Sequence, residues 1–139
     1  MFNTYEFETD VVAFLLQQPI YYTQRKKALG SLPFSDKYLA RVWKWLKEAQ
    51  DRYGAWPTRS ELLERTKREL KDSKGEYLDL EFSSSEEVID SLYEKKPTAS
   101  TGEELNRWVA EQHRQRMVKE LADTPLEDLA SYFKTHQSR

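Results

Sequence analysis

The sequence predicts an all-α protein, a compact helical bundle followed by a C-terminal antiparallel helical hairpin. Three observations carry that expectation. Apolar residues recur at three- and four-residue intervals along most of the chain. Sequences of the form Thr-x-x-Glu, which cap helix N-termini reciprocally, precede three of these segments. Only Leu78-Asp79-Leu80-Glu81-Phe82 alternates like a strand, and a lone strand has nothing to pair with.

A first helix is expected from about Thr4 to Gln18, with Phe7, Val11, Val12, Leu15 and Leu16 on its apolar stripe and Pro19 ending it. A short second helix, Ile20 to Leu29, closes at Gly30, a residue suited to a left-handed C-terminal position. Leu32-Pro33-Phe34 forms an extended link. Ser35 then caps a third helix, about Asp36 to Tyr53, which buries Tyr38, Leu39, Val42, Trp43, Leu46, Ala49 and Tyr53 and ends at Gly54. Arg41, Lys44, Lys47, Glu48 and Asp51 form its wet side. After the Trp56-Pro57 turn, Thr58 to Glu61 caps a helix carrying Leu62, Leu63, Thr66 and Leu70.

Lys71 to Gly75 is a polar loop, Leu78 to Phe82 an extended segment lying on the helices, and Ser83 to Ser85 the cap of a short helix with Val88, Ile89, Leu92 and Tyr93. Pro97 to Gly102 combines Pro, Gly, Ser and Thr and is expected to be a linker. Residues 1–96 therefore form a globular helical domain, and 103–139 a hairpin. Its first helix is capped at Thr101-Gly102-Glu103-Glu104 and runs to about Ala122; its return helix is capped at Thr124-Pro125-Leu126-Glu127 and carries Leu129 and Phe133.

At 139 residues, with 33% charged and 13% aromatic residues, the chain has the composition of one domain with large wet helical faces. A disordered chain lacks such an aromatic supply. There is no cysteine, which excludes disulfides and thiolate metal sites. Glu6, Glu8 and Asp10 precede the first apolar stretch, the wrong sign for a secretory signal, and no apolar run nears the roughly 18 residues that span a bilayer. A soluble, cytoplasmic protein without membrane partners is expected.

No catalytic, cofactor-binding or metal-binding set is written in the chain. Glycines at 30, 54, 75 and 102 cannot build a phosphate-binding loop of either common type. His113 and His136 lack the helical spacing of a metal pair, and Glu86-Glu87 and Glu103-Glu104 fall where helix dipoles favour negative charge. Residues 25–75 hold about twice as many Lys and Arg as Asp and Glu, whereas 76–104 are acidic. The two segments face each other or solvent, or they dock between neighbouring copies. Arg25, Lys26 and Lys27, together with Trp45 lying off the main stripe of its helix, are candidate partner-binding residues. A wide stripe that buries Trp45 is the alternative.

From Phe7 to Leu70 the order of features resembles the N-terminal domain of DnaB-like replicative helicases of the phage type. An acidic helix ending in paired leucines (Glu8 to Leu16) is followed by a link ending in Phe34. The aromatic helix Tyr38 to Leu46 then leads to Tyr53-Gly54-Ala55-Trp56-Pro57-Thr58 and a leucine-bearing helix. Trp108 to Val118 is similar to the family's aromatic, aliphatic and arginine helix, and Thr124 to Phe133 to its return helix; Lys71 to Gly102 departs from the pattern. The resemblance implies a scaffold domain without the ATPase half. Such a domain would assemble as a homodimer or higher ring, recruit a primase or helicase loader, and act in a bacterial or phage-infected bacterial cell. Self-association would then run through Leu105, Trp108, Val109, Gln112, Arg116, Met117, Leu121, Leu129 and Phe133. A free-standing regulator of a replication protein and a small nucleic-acid-binding module are the alternatives, with direct DNA contact expected to be weak.

Overall fold

A computed structural model describes residues 4–71 and 76–123, with side chains from 4 to 71 and from 80 to 122. Among the described residues there are seven helices and no strand: α1 Tyr5–Gln17, α2 Pro19–Gln24, α3 Lys26–Gly30, α4 Lys37–Tyr53, α5 Arg59–Leu70, α6 Glu76–Glu94 and α7 Ala99–Asp123. No helix among them is long and apolar enough to cross a membrane.

Side-chain caps set several of the starts. The Thr4 hydroxyl accepts from the Phe7 amide, and the Asp36 carboxylate accepts from the amides of Tyr38 and Leu39. Thr58 and Glu61 complete the reciprocal box expected from their spacing. Asp36, not Ser35, caps α4, because Ser35 is engaged elsewhere. Its amide and hydroxyl both donate to the fully buried Glu8 carboxylate, at 2.7 Å each. Gly54 ends α4 in the left-handed region at φ 72°, where a side chain would be strained.

Four expectations are corrected. The helix from Ile20 to Leu29 divides at Arg25 into α2 and α3, and Gly30 is the last residue of α3 without positive φ. The stretch taken as extended and the serine cluster both lie inside α6. Ser85 bonds back to the Glu81 carbonyl at 2.8 Å, the way a mid-helix serine satisfies its hydroxyl. With no second strand to pair with, three alternating apolar residues yield to the helical spacing of Glu81, Ser85, Val88, Ile89 and Leu92, all buried. The linker shrinks to the residues around Pro97 and Thr98, since α7 begins at Ala99. Gly102 lies buried within it, and a Cβ there would meet the tip of the Phe14 ring at 2.9 Å. Finally, Tyr53 at the end of α4 is 72% exposed. The polar loop expected at 71–75 and the return helix from Thr124 lie outside the described residues, Lys71 excepted.

The helices close around a connected set of rings. Trp43 on α4 meets Tyr22 of α2 at 5.6 Å, Phe34 of the link at 5.9 Å and Trp56 of the turn at 6.0 Å. Phe34 carries the contact on to Trp108 of α7 at 5.7 Å, and Trp108 meets Phe7 of α1 at 5.5 Å. Edge-on geometry predominates, as ring quadrupoles favour. Around the rings pack Val11, Val12, Leu15, Leu39, Leu46, Leu62, Ile89, Leu92 and Leu105, all essentially inaccessible. α6 lies mainly against α5, with further contacts to α4 and α1, and α7 packs on α1. The globular unit therefore does not stop before Pro97: the first turns of α7 complete its core.

Charge organises the α4–α6 seam. Glu81, with 4% of its side chain exposed, pairs with Arg41 at 2.9 Å and lies 3.8 Å from Lys37, while Arg59 pairs with Asp90 at 2.5 Å. Arg41 also donates to Ser85 at 2.5 Å. Basic α4 and α5 thus meet acidic α6 within one chain.

The Trp108 indole N–H has no hydrogen-bond partner, so its burial rests on packing alone. Trp108→Ala is expected to destabilise the fold by about 3–5 kcal/mol, and Trp108→Phe by clearly less. Urea denaturation followed by far-UV circular dichroism checks both. A Trp108→Ala variant as stable as wild type would remove α7 from the core.

Candidate functional site

The residues expected to form a self-association strip divide into two groups along α7. Leu105 and Trp108 are fully buried in the chain's own core, so they are unavailable to a second copy; this corrects their assignment to an assembly surface. Val109 and Gln112 are half-buried at the edge of the core. Beyond them α7 continues through Arg116, Met117, Val118 and Leu121. Met117 and Leu121 are half-buried, Arg116 is exposed, and Val118 is 61% exposed. Leu129 and Phe133 lie outside the described residues.

The same division has a physical origin. Helix α7 has 25 residues and is about 37 Å long at 1.5 Å per residue, more than the bundle needs to cover. Its distal half is held helical by local pairs instead: Arg114 with Glu111, and Gln115 donating to Glu111 at 3.2 Å. The Arg114 hydrogen bond holds the Glu111 carboxyl below its ordinary pKa. A longer reach also ties this half to the bundle, where Arg116 donates to the Ser31 hydroxyl at 2.9 Å.

Trp45, expected as a partly exposed anchor, is only 5% exposed. The guanidinium groups of Arg41 and Arg65 lie 5.4 and 5.9 Å from its ring, and Arg65 is itself held by Glu48 at 2.5 Å and Glu69 at 2.8 Å. The stripe of α4 is wide enough to bury it. Arg25 stacks 3.9 Å over the Tyr21 ring, Lys26 pairs with Asp51 at 2.5 Å, and Lys27 is exposed. Lys26 and Lys27 line one depression at the end of α3, and neither Arg25 nor Trp45 takes part in it.

A cleft of about 700 Å³ lies between the C-terminal half of α4, helix α5 and the turn joining them. Trp45, Ala49, Trp56, Pro57 and Leu62 supply its apolar wall, and Arg52, Tyr53 and Arg68 lie at its rim. Its other charges are engaged: Arg65 holds Glu48 and Glu69, and Glu61 accepts from the Thr58 amide at 3.1 Å. The turn is pinned from both sides. The Trp56 indole donates to the Leu15 carbonyl at 3.1 Å, and the Tyr93 hydroxyl donates to the Pro57 carbonyl at 2.6 Å. Sequence reading missed the cleft because it opens only where α5 folds back beside α4, an arrangement that local spacing does not reveal. His113 is exposed on α7, and no group of three or more metal-ligating side chains occurs among the described residues.

Comparison with protein-family models, with curated proteins and with solved structures gives no match to this chain.

Burial, reinforced by the nearby Glu61 charge, pushes the Tyr93 phenol up to about 12 from the usual value near 10. The neutral phenol is therefore favoured in the fold. Its contribution is fully present below about pH 10 and is lost as pH rises through about 12. Tyr93→Phe should cost about 0.5–1.5 kcal/mol near neutrality, and the gap to wild type should narrow above pH 10. Thermal unfolding of both proteins at neutral and alkaline pH measures this; a gap that widens with pH would contradict it.

Proposed function

We propose that the chain is a non-catalytic scaffold domain of a replicative DNA helicase, which joins copies into a dimer or higher ring and recruits a primase or helicase loader. Support comes first from the order of elements. An acidic helix, a link ending in Phe34, the aromatic helix α4, the Gly54 to Pro57 turn and the capped helix α5 stand in the order of the resemblance drawn from the sequence. The observation that carries the assembly part is the distal half of α7. It extends past the core with Val118 61% exposed. A helix that continues beyond its own bundle with apolar residues on it can bury them against a second copy, and self-complementary pairing of this kind closes naturally as a two-fold contact. The apolar-walled cleft at the α4–α5 turn, with Arg52 and Arg68 at its rim, is the place assigned to the recruited partner.

Light scattering of the chain from low to high micromolar concentration tests the assembly step. The mean mass should rise with concentration. Val118→Glu should weaken association about tenfold or more, since each buried valine contributes about 1.5 kcal/mol or more, while helicity stays unchanged. A wild-type chain that stays monomeric throughout would sink the proposal.

A further inference from the structure

We infer that the surface joining α3, α4 and the distal half of α7 is a binding site for the phosphate backbone of nucleic acid, without recognition of bases. This goes beyond the scaffold role and does not depend on it.

The inference rests on where cations lack carboxylate partners. A shallow depression at the end of α3 is lined by Lys26, Lys27, Gly30, Ser31, Lys44 and Lys47. Two carboxylates also line it, and both are engaged: Asp51 pairs with Lys26 at 2.5 Å, and Glu48 pairs with Arg65 at 2.5 Å. The remaining cations have neutral partners or none. Lys47 donates to the Gly30 carbonyl at 2.8 Å, Arg116 arrives from α7 to donate to the Ser31 hydroxyl at 2.9 Å, and among the described residues the ammonium groups of Lys27 and Lys44 make no hydrogen bond or ion pair. Gly30 and Ser31 are consecutive, so their two charged partners are held close together. Neighbouring helices α3 and α4 and the distant α7 thus bring four unneutralised charges to one place. Elsewhere among the described residues Arg41, Arg59, Arg65 and Lys95 are paired with acids.

Like charges gathered without counter-ions repel, and a polyanion relieves that repulsion while releasing its own condensed ions. A phosphodiester backbone presents closely and regularly spaced charges, so one segment can meet several of these cations at once. The one ring in the depression, Tyr22, is only 1% exposed, so no aromatic face there stacks a base. What the surface offers is charge and hydrogen-bond donors at an open, shallow site, which is the chemistry of backbone contact.

Fluorescence anisotropy with a labelled duplex oligonucleotide of mixed sequence, titrated at several salt concentrations, tests this. Three to four phosphate contacts predict a log–log salt slope of about −3, at about −0.9 per contact. The double variant Lys27→Gln/Lys44→Gln should lose about tenfold or more in affinity at low salt and flatten the slope by nearly two units. A control pair of equal charge change, Lys67→Gln/Lys96→Gln, should leave the slope near that of wild type. Thermal unfolding shows that each variant is folded. Absence of binding by the wild-type chain at low salt would overturn the inference. So would equal losses in the two double variants, or binding of polyglutamate in preference to the duplex.

Discussion

Burial of the aromatic chain that runs from Phe7 through Trp108 and Phe34 to Trp43, and from there to Tyr22 and Trp56, is the constraint on which the other features rest. These rings come from α1, α2, the link, α4, the α4–α5 turn and α7. No two neighbouring elements could bury them alone, because each ring needs walls from at least two others. Placing Trp108 in this set fixes the position of α7 on α1. It also explains why Gly102 lies where Phe14 leaves no room for a side chain.

The seating of α7 has consequences for both surfaces assigned a role. Because the first turns of the helix are consumed by the core, its remaining length must extend past the bundle, taking Val118 into solvent and Arg116 to Ser31. Electrostatics contributes at a separate seam. Acidic α6 takes up Arg41, Lys37 and Arg59. Carboxylates committed there are not available around α3, where Lys27, Lys44, Lys47 and Arg116 gather. One distribution of charge thus helps close the fold and leaves one face with an excess of cations.

Much of this architecture was legible in the residues. Helical class, the first-helix stripe, the Gly54 stop and the Thr58–Glu61 box all follow from local rules of spacing and capping, which act over a few neighbours. Errors came where tertiary partners decide. Ser35 looks like a helix cap until the buried Glu8 claims it, and Ser83 to Ser85 look like a cap until α6 runs through them. Pro97 to Gly102 has the composition of a linker, yet Gly102 is small because Phe14 approaches it. At the functional surfaces the limit was the same. Trp45 and Trp108 were read as anchors for a partner, and both turned out to serve the chain's own packing, since periodicity does not reveal how wide a buried face becomes. Arg25 to Lys27 were legible as a basic run, but Lys47 and Arg116 reach the end of α3 only through contacts that span 17 and 85 residues of sequence.

Amide hydrogen exchange along α7 in dilute solution tests most directly whether the helix is half core and half projection. Amides from about residue 103 to 109 should exchange as slowly as those of central α4, opening only when the whole domain unfolds, while those beyond His113 exchange much faster. Uniformly fast exchange from the start of α7 would contradict the account, because it would make the helix an appendage and leave the aromatic chain without one of its walls.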